Sequence, residues 1–135
     1  MRTCVATKNS GKLAELHAIF ADSPLQLEVY DGYADVAETG DSYLANALLK
    51  ARALAAQLQD AEIVAAVLAD DSGLEVDALG GQPGIYSARY AGADATWPAR
   101  RAALLDALGE VPGPRRSARF VSTMALVLPD GRELT

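Results

Sequence analysis

Seven consecutive apolar residues, Ile63 to Ala69, run straight into Asp70-Asp71-Ser72-Gly73. A short continuous apolar run bounded by turn-forming residues suits a strand covered on both faces, as in a parallel α/β sheet. Its abrupt end in two carboxylates places charge where open α/β sheets bind ligands, at the tip of a buried strand. The stretch predicts a strand that stops at Asp70, with Leu74 to Val76 resuming as a short strand.

The neighbouring segments fit an α/β chain. Arg2 to Ala6 reads as a strand, followed by the polar turn Thr7-Lys8-Asn9-Ser10-Gly11-Lys12. Leu13, Leu16, His17 and Phe20 then recur at helical spacing, which puts His17 on an apolar, partly buried face. A strand is expected near Gln26–Tyr30. Asp41 or Ser42 can cap a helix over Leu44 to Leu58. Only Asn46, Lys50, Arg52 and Gln57 are polar among its 15 residues, so this helix is expected to be mostly buried. Gly80-Gly81-Gln82-Pro83-Gly84 must be loop. Thr96 can cap a helix over Pro98 to Leu108, with Gly109 just past its end. Ser117 to Leu128 reads as a long strand with Ala118, Phe120, Met124, Leu126 and Leu128 on one face. Pro129-Asp130-Gly131-Arg132 reads as a hairpin turn.

Composition closes off several functions. The chain has 135 residues, half of them apolar and 22% charged, which suits one folded domain. One cysteine, Cys4, precludes an internal disulfide and a cysteine metal cage, and it is expected in the core. One histidine, His17, excludes a multi-histidine zinc site, and nothing near it supports a Ser-His-Asp triad. A net charge of -6 argues against a general nucleic-acid or acidic-membrane surface. The first residues carry no signal-peptide pattern, and no apolar run is long enough to span a bilayer, so a cytoplasmic protein is expected.

Three constellations could carry chemistry. Asp70 and Asp71 are adjacent carboxylates, so in a low-dielectric site one must be protonated or a cation must sit nearby. Hard oxygens suit Mg²⁺. Adjacent strand residues face opposite ways, so one of the two is expected to aim into a site. The same four residues are also good turn chemistry. Thr7 to Lys12 would put backbone N–H groups and a lysine at a helix start, where anions bind. It is not a Walker A loop, because Ala6 and Leu13 stand where that pattern needs Gly and Ser/Thr. Spacing alone favours a polar connecting loop there. Asn46 and Lys50 are four apart on one helix face and can meet Glu38. On spacing alone Lys50 reads as a lysine snorkelling from an apolar helix. Arg115, Arg116 and Arg119 read as solvated surface, and Trp97 as a packing residue at a helix entry.

Taken together, the segments resemble the inosine triphosphate pyrophosphatases, also called XTP/dITP diphosphatases. The resemblance lies in Ala6 to Leu16, in Glu38-Thr39-Gly40, in Asn46 to Ala51 and, above all, in the long Ala69 to Gly92 stretch. Arg119-Phe120 also fits. The resemblance implies an elongated α/β fold with a mixed sheet flanked by helices, and a homodimer. It implies hydrolysis of ITP, dITP and XTP to the monophosphate and pyrophosphate with Mg²⁺, clearing deaminated purines from the nucleotide pool. By resemblance, Thr7, Lys8, Asn9, Ser10, Gly11 and Lys12 cradle the phosphates. Glu38 and Asp71 hold the metal, Asp71 activates water, Ser72 contacts substrate and Lys50 neutralises triphosphate charge.

The resemblance also implies a longer chain, with about a third of the usual domain beyond Thr135. That part would carry a Phe-Gly-Tyr-Asp and a Ser-His-Arg segment for the purine base. The expectation is a single pyrophosphatase domain over residues 1–135 that lacks its C-terminal part. Two rival readings follow: a Maf-like nucleotide pyrophosphatase, which the Gly80 to Arg89 segment disfavours, and a non-catalytic phosphate-binding or dimerisation fragment.

Overall fold

The first strand forms where its β-branched residues place it. β1 spans Arg2–Val5 and pairs in parallel with β2 (Gln26–Glu28) on one side, from Arg2 opposite Gln26 to Cys4 opposite Glu28. On its other side it pairs in parallel with β3 (Ala66–Val76), from Thr3 opposite Ala66 to Val5 opposite Leu68. Flanked on both edges, Thr3, Cys4 and Val5 are buried. The computed structural model describes all 135 residues. The sheet has the order β2-β1-β3-β4-β5, with β4 at Ala118–Val127 and β5 at Glu133–Leu134 antiparallel to it. It is therefore a mixed sheet, as the family resemblance implies.

The chain divides into two compact units. The first comprises Met1–Asp71 and Thr123–Thr135. It holds α1 (Ser10–Ile19) and α2 (Tyr43–Asp60). Ser42 caps α2, its side chain accepting a hydrogen bond from the Ala45 N–H at 3.2 Å. Ala47, Ala51, Leu54 and Leu58 recur at intervals of four, three and four, giving one buried stripe. They pack with Cys4, Ala6, Tyr33, Val67, Ala69, Ala125 and Val127 into the core of this unit. Leu54 and Leu58 each stabilise it by about 1.5–3 kcal/mol. Beside this stripe only Asn46 is buried, Leu44, Arg52 and Ala56 are exposed, and the other residues of Leu44 to Leu58 are half-buried, so the helix is less deeply buried than expected.

Three further expectations change. β3 does not stop at Asp70 but continues unbroken to Val76. His17 is exposed, and Leu16 is the only buried residue of α1. In β4 the buried residues are Ala125 and Val127, of the parity opposite to the apolar set that the sequence singled out, and Phe120 of that set is 84% exposed. The hairpin does form, with the Leu128 N–H donating to Arg132 O at 2.8 Å and Gly131 at φ 84°.

The second unit, Ser72–Ser122, holds α3 (Trp97–Leu108). Thr96 caps α3 and Gly109 follows it at φ 45°, as expected. Trp97 is exposed and carries the Arg100 guanidinium 4.9 Å from its ring. The long motif has a structural purpose here. A Cβ on Gly73 would lie 2.1 Å from the Gly84 carbonyl oxygen, so only glycine allows this approach. The Ser87 hydroxyl donates to Gly84 O at 2.7 Å and accepts from the Leu74 N–H at 2.9 Å, fastening the loop to the strand. Arg119 pairs with Glu75 at 2.7 Å, and Arg116 caps the carbonyls of Val111 and Gly109.

Candidate active site

Asp70 and Asp71 are 8% and 5% exposed within β3. A buried carboxylate without a partner is costly, and a different helix answers each one. The side chains alternate across the strand. Asp70 Oδ2 meets Lys12 Nζ of α1 at 3.1 Å. Asp71 meets α2: its Oδ2 accepts from Asn46 Nδ2 at 3.0 Å, and its Oδ1 lies 3.8 Å from Lys50 Nζ. The cations that two adjacent acids require are thus supplied by the protein, and this lets the strand run on through them. Burial opposes the charge on Lys12, but its ion pairs with Asp70 and Glu15 together outweigh burial and raise its pKa above the ordinary value.

Glu38 joins from the loop that precedes α2. Its Oε1 lies 2.7 Å from Lys50 Nζ, so one ammonium links Glu38 and Asp71. The loop is fixed at two points. The Gln57 side chain accepts from the Ala34 N–H and donates to the Ala34 carbonyl, both at 2.8 Å. The Gly40 N–H donates to Asn46 Oδ1 at 2.8 Å. Just before the first of them Tyr33 is buried, and its hydroxyl donates to Asp35 Oδ1 at 3.1 Å. Burial first, then the charge of Asp35, drives the Tyr33 pKa well above that of a free phenol.

The stretch Thr7 to Lys12 is only half a loop, because α1 begins at Ser10. Asn9 is its cap: Oδ1 accepts from the N–H of Gly11 at 2.9 Å and of Lys12 at 3.2 Å. Thr7 Oγ1 accepts from the Asn9 N–H at 3.1 Å. Several of the backbone donors expected to face an anion are thus used by the turn itself. Lys8, Asn9, Ser10 and Gly11 are exposed, and the Lys8 ammonium lies 6.0 Å from the centre of the Tyr33 ring. Ser72, the next residue of β3, is half-buried and opens the second unit.

Glu38, Lys50 and Asp71 therefore come together; spacing groups only Glu38, Asn46 and Lys50, with Lys50 read as a snorkelling lysine, and the resemblance adds Asp71. Sequence reasoning missed the Lys12–Asp70 pair, the Gln57 clamp and the bonds of Asn46. The four-residue interval between Asn46 and Lys50 was the available signal for the last of these. No cluster of three or more His, Cys, Asp or Glu could cage a metal ion. The two carboxylates do converge on one cation, the Lys50 ammonium, and hard divalent ions accept one or two carboxylates when phosphate oxygens and water complete the shell. The donor set fits Mg²⁺ shared with a phosphate ligand. A groove of about 740 Å³ in the first unit lies elsewhere, between the C-terminal half of α2 and the β4–β5 hairpin.

A mixed sheet whose buried strand carries lysine-paired carboxylates defines an α/β protein with concentrated charge at its centre. The chain belongs to the Ham1 family, whose pattern matches residues 3–135. It is 44% identical over 138 residues to a dITP/XTP pyrophosphatase of Exiguobacterium sibiricum, covering all of this chain and 67% of that protein. It is 50% identical over 127 residues to one of Xanthomonas campestris, covering 91% of this chain and 60% of that protein. The Ham1 protein of Coxiella burnetii superposes with a TM-score of 0.83 at 35% identity, over 99% of this chain and 68% of the other. A nucleoside-triphosphatase / dITP/XTP pyrophosphatase from Mycobacterium abscessus superposes with a TM-score of 0.74 at 42% identity, over 99% and 69%. The chain thus spans between 60% and 67% of the length of these two curated relatives.

Proposed function

We propose that this protein hydrolyses ITP, dITP and XTP to the nucleoside monophosphate and pyrophosphate. The observation that carries the reading is the Glu38–Lys50–Asp71 arrangement: two carboxylates held on one ammonium, in a chain whose relatives are named dITP/XTP pyrophosphatases. Lys8 and Lys12, with Thr7, Asn9, Ser10 and Gly11, would bind the phosphates. Lys50 would offset charge on the triphosphate and on the departing pyrophosphate. Asp71 would orient the attacking water and take its proton. Mg²⁺, held by Glu38, Asp71 and phosphate oxygens, would supply the charge neutralisation that lets water approach a polyanion. Ser72 stays a substrate contact on the family resemblance alone.

No helix is long and apolar enough to cross a membrane. The reading is completed by a cytoplasmic location, a homodimer and a single pyrophosphatase domain to which residues 1–135 contribute.

The test is pyrophosphate release from ITP, dITP and XTP beside ATP and GTP, with and without Mg²⁺. Metal-dependent release favouring the deaminated purines is expected, and Asp71→Asn should lower kcat by about 10²–10⁴-fold. Unchanged turnover in that variant would remove both the base and the metal assignments. A preference for other bases would favour the Maf-like reading.

A further inference from the structure

Asn46 is fully buried, and both ends of its side-chain amide are bonded. Nδ2 donates to Asp71 Oδ2 at 3.0 Å, and Oδ1 accepts from the Gly40 N–H at 2.8 Å. Those two partners belong to the two pieces of chain that carry the carboxylates. Asp71 is in β3, and Gly40 lies two residues after Glu38 in the loop. The loop backbone is seated on Asn46 itself. A Cβ on Gly40 would lie 2.6 Å from Asn46 Oδ1 and 2.9 Å from Asn46 N, so the approach needs glycine at that position.

The amide also tells the two oxygens of Asp71 apart. Oδ2 is engaged by Asn46, which leaves Oδ1 as the oxygen nearer Lys50, and Lys50 holds Glu38 at 2.7 Å. Asn46 and Lys50 are one helical turn apart on α2, so a single rigid element carries both groups that set the carboxylate spacing. A carboxylate gripped at one oxygen keeps one rotamer. Partners of this kind orient the groups that touch a ligand.

We propose that Asn46 is the positioning residue of the carboxylate pair, holding Asp71 by one oxygen and the Glu38 loop through Gly40, so that Asp71 Oδ1 is presented beside Glu38. The catalytic consequence rests on the pyrophosphatase reading above; the geometric one does not.

Two substitutions separate the two grips. Asn46→Ala removes both. Asn46→Asp keeps an acceptor for Gly40 but sets a carboxylate against Asp71. The intact chain and each variant are compared in ITP turnover with Mg²⁺, in thermal melting, and in hydrogen exchange of the Gly40 amide. We expect kcat to fall by about 10–100-fold in both variants with KM for ITP little changed, because the phosphate-binding turn is untouched. The Gly40 amide should lose protection in Asn46→Ala and keep it in Asn46→Asp. A lowered melting temperature with kcat per folded molecule unchanged would overturn the proposal, because Asn46 would then be only part of the packing. So would a Gly40 amide that exchanges as fast in the unsubstituted protein as in Asn46→Ala. If the unsubstituted protein released no pyrophosphate, the function would fall, and Gly40 exchange would decide the positioning by itself. If neither variant folds, Asp71→Ala replaces them: faster exchange of the Asn46 side-chain amide supports the contact, and unchanged exchange refutes it.

Discussion

The Lys50 ammonium stands between Glu38 and Asp71, and its side chain is only 12% exposed. Replacing it by methionine leaves two acids with no shared cation, and breaking a buried pair from one side costs on the order of 3 kcal/mol. Lys50→Met should therefore lower the melting temperature and cut ITP turnover by about 10²-fold or more. Mg²⁺ alone should raise the melting temperature more in this variant than in the unsubstituted protein, because the vacated position suits a cation. An equal Mg²⁺ shift in both would argue against a metal position between these carboxylates. Cys4 makes the opposite case, a reactive group kept silent. Burial and then Glu28 push its thiol up to about 11. Only a thiolate attacks, so at pH 8 a thiol reagent should label it slowly in the native protein and at once in urea. Rapid native labelling would contradict its burial. The core position of Cys4 was legible from its β-branched neighbours. The Lys12–Asp70 pair was not, because it joins residues far apart in sequence and no local pattern encodes it.

Helix ends were the most legible elements, because a cap is a local hydrogen bond. Ser42 and Thr96 each accept from the backbone N–H three residues on. Ser42→Ala should cost about 1 kcal/mol in urea unfolding. Gly73→Ala should cost about 1–3 kcal/mol, because the atom it meets is a backbone carbonyl that cannot swing aside. A near-neutral Gly73→Ala would show that the loop at Gly84 yields. Strand limits and faces were less legible. Asp-Asp-Ser-Gly is sound turn chemistry, yet β3 runs through it because lysines from two helices compensate the acids. The inward face of β4 was not legible because both parities carry apolar residues, and only the packing partners choose between them. His17 sits at helical spacing with leucines, but one position of α1 is buried and His17 is not it.

At the scale of the whole molecule, a net charge of -6 would oppose the proposed triphosphate substrate, so on that reading affinity would come from the local lysines, and the family match was legible only through motif order. The same distribution sets how stability responds to alkali. Cys4, Tyr33 and Lys12 each bind a proton more tightly in the folded chain than in the unfolded one, where ordinary values are 9.0, 10.0 and 10.5. For Cys4 and Tyr33 the main cause is burial, which disfavours the ionised form; for Lys12 burial acts the other way, and the ion pairs with Asp70 and Glu15 together more than offset it. A raised folded pKa stabilises fully below the unfolded value and is lost as pH climbs through the folded one. The urea midpoint should therefore hold steady up to about pH 9 and then fall, Cys4 contributing first and Tyr33 and Lys12 above pH 10. Cys4→Ala should delay the onset of that fall, and Tyr33→Phe should flatten its later part. A midpoint that keeps rising between pH 9 and 11 would mean that none of these groups is held in its protonated form by the fold.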